Sequence, residues 1–404
     1  MEKDTTLVFA HTCFYFPGGA ERQIVWLAQE LAARGIKLRI LASDFGEWAI
    51  KAFSQKDIEF KTLELNSVSL KLAGYQIKFD GIKPFIQQVP RRTLLQSSQQ
   101  NILKNMGRKL SDHAKDAKAI VSFGFPSYLW NFFAGQNGVL PASGWFCFEP
   151  PGMLYRDKIF PHFHKEKINP PAAIVAVEQA AAEFPRLAMT TSSHIKGICE
   201  QIYKRKDFIP LYAGLPVPVI ESMPSPYNFS FIFSASRLYP EKNYSNLIKG
   251  FARLDTKVKL LIGGDGPEKV NLEKLINELN LTEKVILLGQ LTDAQLIQHY
   301  QHCMMVVFPG LDEPLGLIPI ESGFHRKACL VSSQGGPKET VKDGETGRWF
   351  NPLDPADIAK IIQEVLDFPQ NLRSMGEKAY EYTMSNFTIS AFADRFLAVI
   401  DKLI

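Results

Sequence analysis

Glu313 and Glu321 stand eight residues apart, one just before and one inside a stretch, from Leu317 onward, that reads as a helix. Eight helical steps of about 100° bring a side chain back to nearly the same side, more than two turns along. Carboxylates separated in this way suit the hydroxyls of one extended ligand better than a shared proton, because each can accept from two vicinal hydroxyls such as those of a sugar or a ribose. Arg237 and Lys242 supply the opposite sign. They share one loop, where two cations can neutralise a diphosphate and the charge that builds on a leaving nucleoside diphosphate.

These four residues need a frame of strands that end in loops and helices that start from them. Residues 304–308 (MMVVF) form an apolar run short enough for a buried parallel strand, and Pro309-Gly310 stops it. Residues 311–316 then lie at the carboxyl end of that strand, where ligands of open α/β sheets collect. Pro319 is tolerated in the first helical turn, where its missing N–H has no partner to lose. Residues 229–234 open a βα series with SASRLYPEKN after the strand and an amphipathic helix over 244–254. The next strands are expected at 258–262, followed by the tight turn Gly263-Gly264-Asp265-Gly266-Pro267, and at 285–288, followed by a helix capped by Thr292 or Asp293.

The amino-terminal half repeats the rhythm. A strand at 7–10 is followed by the loop Pro17-Gly18-Gly19-Ala20-Glu21 and a helix whose apolar residues recur at Ile24, Leu27, Ala28 and Leu31, then by a strand at 37–42. Glycines let backbone N–H groups approach an anion closely, and a helix N-terminus adds a favourable dipole. Strands follow at 119–123, 145–148, 187–192 and 207–215. Residues 81–118 are strongly basic, with Lys83, Arg91, Arg92, Lys104, Arg108, Lys109, Lys115 and Lys118 against Asp112 and Asp116, and carry an interleaved apolar face. Two readings stay open: a basic surface resting on an anionic membrane, or a solvated helix packed on a sheet. Prolines 216, 218, 224 and 226 mark an interdomain linker.

Composition sets the outer bounds. A chain of 404 residues fits two domains or three small ones, and 46% hydrophobic with 22% charged residues is ordinary for a soluble globular protein. A net charge of +4 is too mild for a dedicated nucleic-acid binder. The five cysteines lie far apart, without a C-x-x-C pair, which predicts a reducing compartment and no structural metal. No apolar run approaches 18 residues and the first residues lack the marks of a signal peptide, so a cytoplasmic location is expected, with the basic stretch open to contact at the inner face of the membrane.

The string Glu313-x7-Glu321, followed by Gly335-Gly336-x-x-Glu339 and Asp343-Gly344-x-x-Gly347, resembles the donor-binding region of family 4 retaining glycosyltransferases of GT-B architecture. The resemblance covers nearly the whole chain and is strongest over 233–347. It implies an α/β fold of two Rossmann-like doubly wound domains facing across a cleft, with the final helix crossing back to the N-terminal domain. The expected divisions are 1–215 for the acceptor domain, 216–228 for the linker, 229–386 for the nucleotide-sugar domain and 387–404 for the returning helix. By carry-over, Arg237 and Lys242 hold the donor diphosphate, Glu313 the sugar ring and Glu321 the ribose, and Gly18, Gly19, Gly264, Gly266, Leu315, Gly316 and Leu317 line the donor. A second segment resembles the family's His-Thr-Pro-Pro-Arg-x-Leu-Tyr, but Phe148 and Gly152 stand where the family has His and Arg. The acceptor class is therefore not carried over, and Glu149, Tyr155 and Arg156 are the polar candidates there. The implied activity is metal-independent, cofactor-free transfer of a hexose from a UDP- or GDP-linked donor to a hydroxyl of a glycan or lipid-linked acceptor. A scaffold subunit without turnover and a sugar epimerase of the same fold are the alternatives.

Overall fold

The computed structural model describes residues 6–63, 68–72, 75–79, 84–88, 97–136, 140–162, 169–170 and 172–404. The chain divides into two compact units. The first holds Met1–Ile159, His164–Gly214 and Ile389–Ile404; the second holds Phe160–Phe163 and Leu215–Thr388.

In chain order the first unit contains β1 (Thr6–His11), β2 (Lys37–Ala42), β3 (Glu59–Thr62), the short strands β4 (Val68–Leu72), β5 (Tyr75–Phe79) and β6 (Pro84–Gln88), then β7 (Ala119–Phe123), β8 (Ala142–Cys147), β9 (Leu187–Thr190) and β10 (Ile209–Pro210). Seven of them form one sheet in the order β10-β9-β8-β7-β1-β2-β3. Every pairing in it is parallel. Leu7, Val8, Phe9 and Ala10 are wholly buried, as expected of a parallel strand covered on both faces. The chain winds outward from β1 to β3, then returns to the other side of β1, so the order reverses between β1 and β7. Strand ends diverge at such a reversal and leave a crevice.

The helix Gly19–Ala33 buries Ile24, Leu27, Ala28 and Leu31 on the face that the sequence periodicity predicts. The last helix, Ile389–Ile400, packs on this unit: Phe396 meets Phe9 edge-on at 5.6 Å and Phe392 meets Phe146 at 5.8 Å. Arg395 fastens it by donating to the carbonyls of Leu211 and Tyr212, each at 2.6 Å.

Several expected bounds need correction: the strand expected at 187–192 is Leu187–Thr190, the one at 304–308 is Val306–Phe308, and the helix over 244–254 is Tyr244–Phe251. β8 ends at Cys147 rather than 148, because the apolar run continues past the pairing and Phe148 is held by ring contacts, 4.8 Å from Phe146. β10 is only Ile209–Pro210 instead of 207–215, since Pro210 has no N–H and stands at a sheet edge. The antiparallel set β4-β5-β6 has no counterpart among the expected strands.

Within the basic stretch, the helix Ser97–Ala114 buries Met106, Leu110 and Ala114 and packs against the helix Ser127–Gly135. Lys104, Arg108, Lys115 and Lys118 remain exposed. Lys83, Arg91 and Arg92 lie outside the described residues. Among the described residues no helix is long and apolar enough to cross a membrane.

The second unit contains β11 (Phe231–Ala235), β12 (Lys259–Gly263), β13 (Val285–Gly289), β14 (Val306–Phe308), β15 (Cys329–Ser332) and β16 (Gly347–Phe350). They form a sheet in the order β13-β12-β11-β14-β15-β16, parallel throughout. The reversal here falls between β11 and β14. The helix Tyr244–Phe251 covers one face with Leu247, Ile248 and Phe251. Residues 216–228 run without regular secondary structure.

Candidate functional site

The loops after β11 and β14 leave neighbouring strands at the reversal of the second sheet, so any residue they carry is delivered to one place. Lys242 comes from the first loop, at the end of a short 3₁₀ turn, Pro240–Lys242, and Glu313 from the second. They form an ion pair with side chains 15% and 13% exposed. Asn243 holds the loops in register: it takes the left-handed backbone conformation at φ 58°, which Asn tolerates, and its side-chain amide donates to the carbonyls of Pro309 at 3.2 Å and Pro352 at 2.8 Å. A backbone bond from Leu311 N–H to Glu241 O, at 2.9 Å, adds a second tie.

Two glycines let the loops close up. Gly264 has φ 128°, and a Cβ there would lie 1.8 Å from the Ser236 carbonyl. Gly335, at φ 77°, lies against Glu313, where a Cβ would come within 2.9 Å of its backbone N and O. The adjacent Gly336 N–H donates to the Glu313 carbonyl at 2.8 Å. Gly266 follows in the loop after β12, Leu315 is buried, and Gly316 caps the helix Leu317–Phe324 without a side-chain hydrogen bond.

Arg237 is exposed, its guanidinium 5.4 Å from the centre of the Tyr239 ring. Among the described residues it makes no ion pair. Its neighbours anchor the loop beneath it: Leu238 is buried and its N–H donates to Asp265 O at 2.9 Å. Glu321 lies on the helix Leu317–Phe324 and accepts from the Tyr300 hydroxyl at 2.8 Å. Burial, with the Glu321 charge beside it, pushes the Tyr300 phenol well up, so it donates and does not ionise.

A lysine ammonium has three donors, so Lys242 can keep Glu313 and still offer a proton to an anion. The arrangement therefore presents one exposed cation, one cation held by a carboxylate, and a second carboxylate on the helix that follows. That set can bind a diphosphate and neighbouring hydroxyls. Among the described residues no group of three or more His, Cys, Asp or Glu side chains is placed to hold a metal ion.

The reversal in the first sheet carries a different group. His11, at the end of β1, is buried, with Nδ1 2.7 Å from the Phe123 carbonyl and Nε2 3.4 Å from Glu21 Oε1. A carbonyl only accepts, so Nδ1 bears a hydrogen. Glu21 leans back over Gly18, where a side chain would meet its carboxylate at 2.2 Å. The glycine loop with Gly18 and Gly19 thus has a carboxylate of its own at the start of the helix.

Glu149 and Arg156 are exposed. Tyr155 differs from the expectation of a polar group at the strand end: it is 3% exposed and donates to Glu178 at 2.6 Å. Tyr203 donates to the same carboxylate at 2.7 Å, and Tyr128 is the third donor. Glu178 is buried, and desolvation pushes its carboxyl above the ordinary value while the three phenols pull it back. Neither His11 nor Glu178 stands in a motif. Their signals are weaker ones: a histidine at the carboxyl end of the first strand, and an acid in the middle of the apolar helix Ala172–Glu183.

Two parallel doubly wound units, each with its crevice at the reversal of strand order, define the GT-B class of fold. Residues 219–382 match the family model described as glycosyl transferases group 1. The chain is 37% identical over 117 residues to the uncharacterized glycosyltransferase YqgM of Bacillus subtilis, covering 28% of this chain and 33% of that protein. It is 25% identical over 175 residues to the alpha-D-kanosaminyltransferase of Streptomyces kanamyceticus, covering 43% and 45%. These matches span less than half of the relatives' own length. Among solved structures, a glycosyltransferase from Rickettsia africae superposes with a TM-score of 0.74 at 15% identity over 99% of both chains. Anabaena HepE in complex with UDP superposes at 0.73 and 17% identity, over 98% of this chain and 100% of that one.

Proposed function

We propose that this chain is a retaining glycosyltransferase of family 4, moving a hexose from a nucleoside diphosphate sugar to a hydroxyl of a glycan or lipid-linked acceptor. The observation that carries the reading is the delivery of Lys242 and Glu313 as an ion pair to the strand reversal of the second unit, with Arg237 exposed in the same loop. The match of residues 219–382 to a glycosyltransferase family and the UDP named with a structural neighbour support it.

In this reading Arg237 and Lys242 neutralise the diphosphate and stabilise it as it leaves. Glu313 receives the hydroxyls of the hexose while holding Lys242, and Glu321 receives those of the ribose. The bond from C1 to the phosphate oxygen breaks, the bond from C1 to the acceptor oxygen forms on the same face, and the acceptor proton ends on the departing phosphate. No protein nucleophile, metal ion or cofactor takes part. The reaction belongs in the cytoplasm, where five unpaired thiols survive. Contact with an anionic membrane would be electrostatic, through Lys104, Arg108 and Lys118, because Met106, Leu110 and Ala114 are already buried.

The test is turnover of UDP- and GDP-hexoses with hydroxyl acceptors in excess chelator, with the product's anomeric configuration read by NMR. The expected product keeps the donor configuration at an undiminished rate. Inversion, loss of activity in chelator, or conversion of the donor without an acceptor would each refute the proposal.

A further inference from the structure

Glu321 is held by a side chain that no motif marks. Tyr300 comes from the end of the helix Asp293–His302, is 1% exposed, and donates to Glu321 Oε2 at 2.8 Å. Its ring is fixed on two sides. Phe233 of β11 meets it edge-on at 5.3 Å and 85°, and His325 lies parallel to it at 5.2 Å and 9°. His325 follows Glu321 by one turn and its backbone N–H donates to the Glu321 carbonyl at 3.3 Å, so the ring and the carboxylate ride on the same helix end. His325 is buried and its Nδ1 has no hydrogen-bond partner among the described residues. Burial, with Lys327 nearby, lowers its pKa to about 4, so the stacked ring is neutral.

Phenylalanine would fill the Tyr300 site equally well if packing were the only demand. The hydroxyl serves Glu321: it donates to Oε2 and fixes one rotamer of the carboxylate. A carboxylate carries about four lone-pair sites, so the bond from Tyr300 leaves capacity for a vicinal diol.

We propose that Tyr300, backed by the His325 ring, is a positioning residue that aims Glu321 at the ribose hydroxyls of the donor nucleotide. The inference rests on the glycosyltransferase reading above and adds to it the source of ribose recognition.

The experiment is calorimetric binding of UDP and GDP, and of the 2′,3′-dideoxy form of whichever binds, to the parent, to Tyr300→Phe and to His325→Ala. Tyr300→Phe should weaken the ribonucleotide about tenfold, about 1.4 kcal/mol, and leave the dideoxynucleotide within twofold of the parent. His325→Ala, which frees the ring but keeps the hydroxyl, should give a smaller loss with the same ligand dependence. With the nucleotide sugar as substrate, Tyr300→Phe should raise KM and leave kcat within threefold. Equal losses for both ligands would mean a structural role only and overturn the inference; so would an unchanged ribonucleotide affinity in Tyr300→Phe. A parent that binds no nucleoside diphosphate would overturn the functional reading itself.

Discussion

Lys242→Ala is expected to lower glycosyl transfer about 100- to 1000-fold, the usual cost of deleting one preorganised charge at a site where charge develops. The residue is well placed for so large an effect. Its ammonium is mostly buried against Glu313 and its loop is pinned by Asn243 to the carbonyls of Pro309 and Pro352. Deleting it removes a cation from the diphosphate and leaves Glu313 as an uncompensated negative charge in the same place, so both terms oppose the leaving group. Lys242→Arg should recover only part of the rate, because a planar fork does not reproduce a compact point charge. Combining Lys242→Ala with Glu313→Gln should cost less than the two single losses together, since the second change removes the charge the first exposed. Steady-state kinetics on variants that melt like the parent would check all three. A loss below tenfold for Lys242→Ala would mean that the pair is only structural.

Glu178→Ala is expected to be the most destabilising single change in the first unit. It strips the acceptor from Tyr128, Tyr155 and Tyr203, all buried. An orphaned buried donor costs about 1–3 kcal/mol, so three that relax together should cost about 3–5 kcal/mol. Tm should then fall by roughly 6–20 °C, at about 2–4 °C per kcal/mol for a unit of this size. Glu178→Gln should cost less, because its carbonyl still accepts.

The parent also separates from both substitutions with pH, because neither replacement titrates. Burial raises the Glu178 carboxyl above its ordinary value of 4.5. A raised carboxyl contributes stability that is fully present below the ordinary value and is lost as pH rises through the folded one. The parent should therefore gain stability relative to Glu178→Gln as pH falls from 8 towards that range. Urea unfolding at several pH values would show it, and a pH-independent difference would contradict the burial of an ionisable carboxyl.

Local features were legible in the sequence because they follow from chain-local physics. The periodic face of Gly19–Ala33, the bounds of β2 and β7, and the capping of Asp293–His302 by Thr292 all follow from apolar spacing and side-chain hydrogen bonding. Arg237, Lys242, Glu313 and Glu321 are singled out by the sequence as residue types suited to a nucleotide sugar. Their partners were not. Lys242 and Glu313 lie 71 residues apart, and Tyr300 precedes Glu321 by 21. Only the winding of the sheet brings them together. The Glu178 cluster failed for the same reason: Tyr128, Tyr155 and Tyr203 come from separate segments, and each looks ordinary alone. Tyr155 stands near a strand end in the sequence, yet it is buried at 3% exposure with its hydroxyl turned to Glu178.

The account stands or falls on nucleotide binding in the second unit, and thermal stability with UDP and GDP, in the parent and in Arg237→Ala and Glu321→Ala, measures it directly. A ligand at 100 times its Kd stabilises by about 2.7 kcal/mol. The prediction is a shift of that size with one of the two nucleotides in the parent and its loss in both variants. No shift in the parent, or one that survives in both variants, would contradict the assignment of this site.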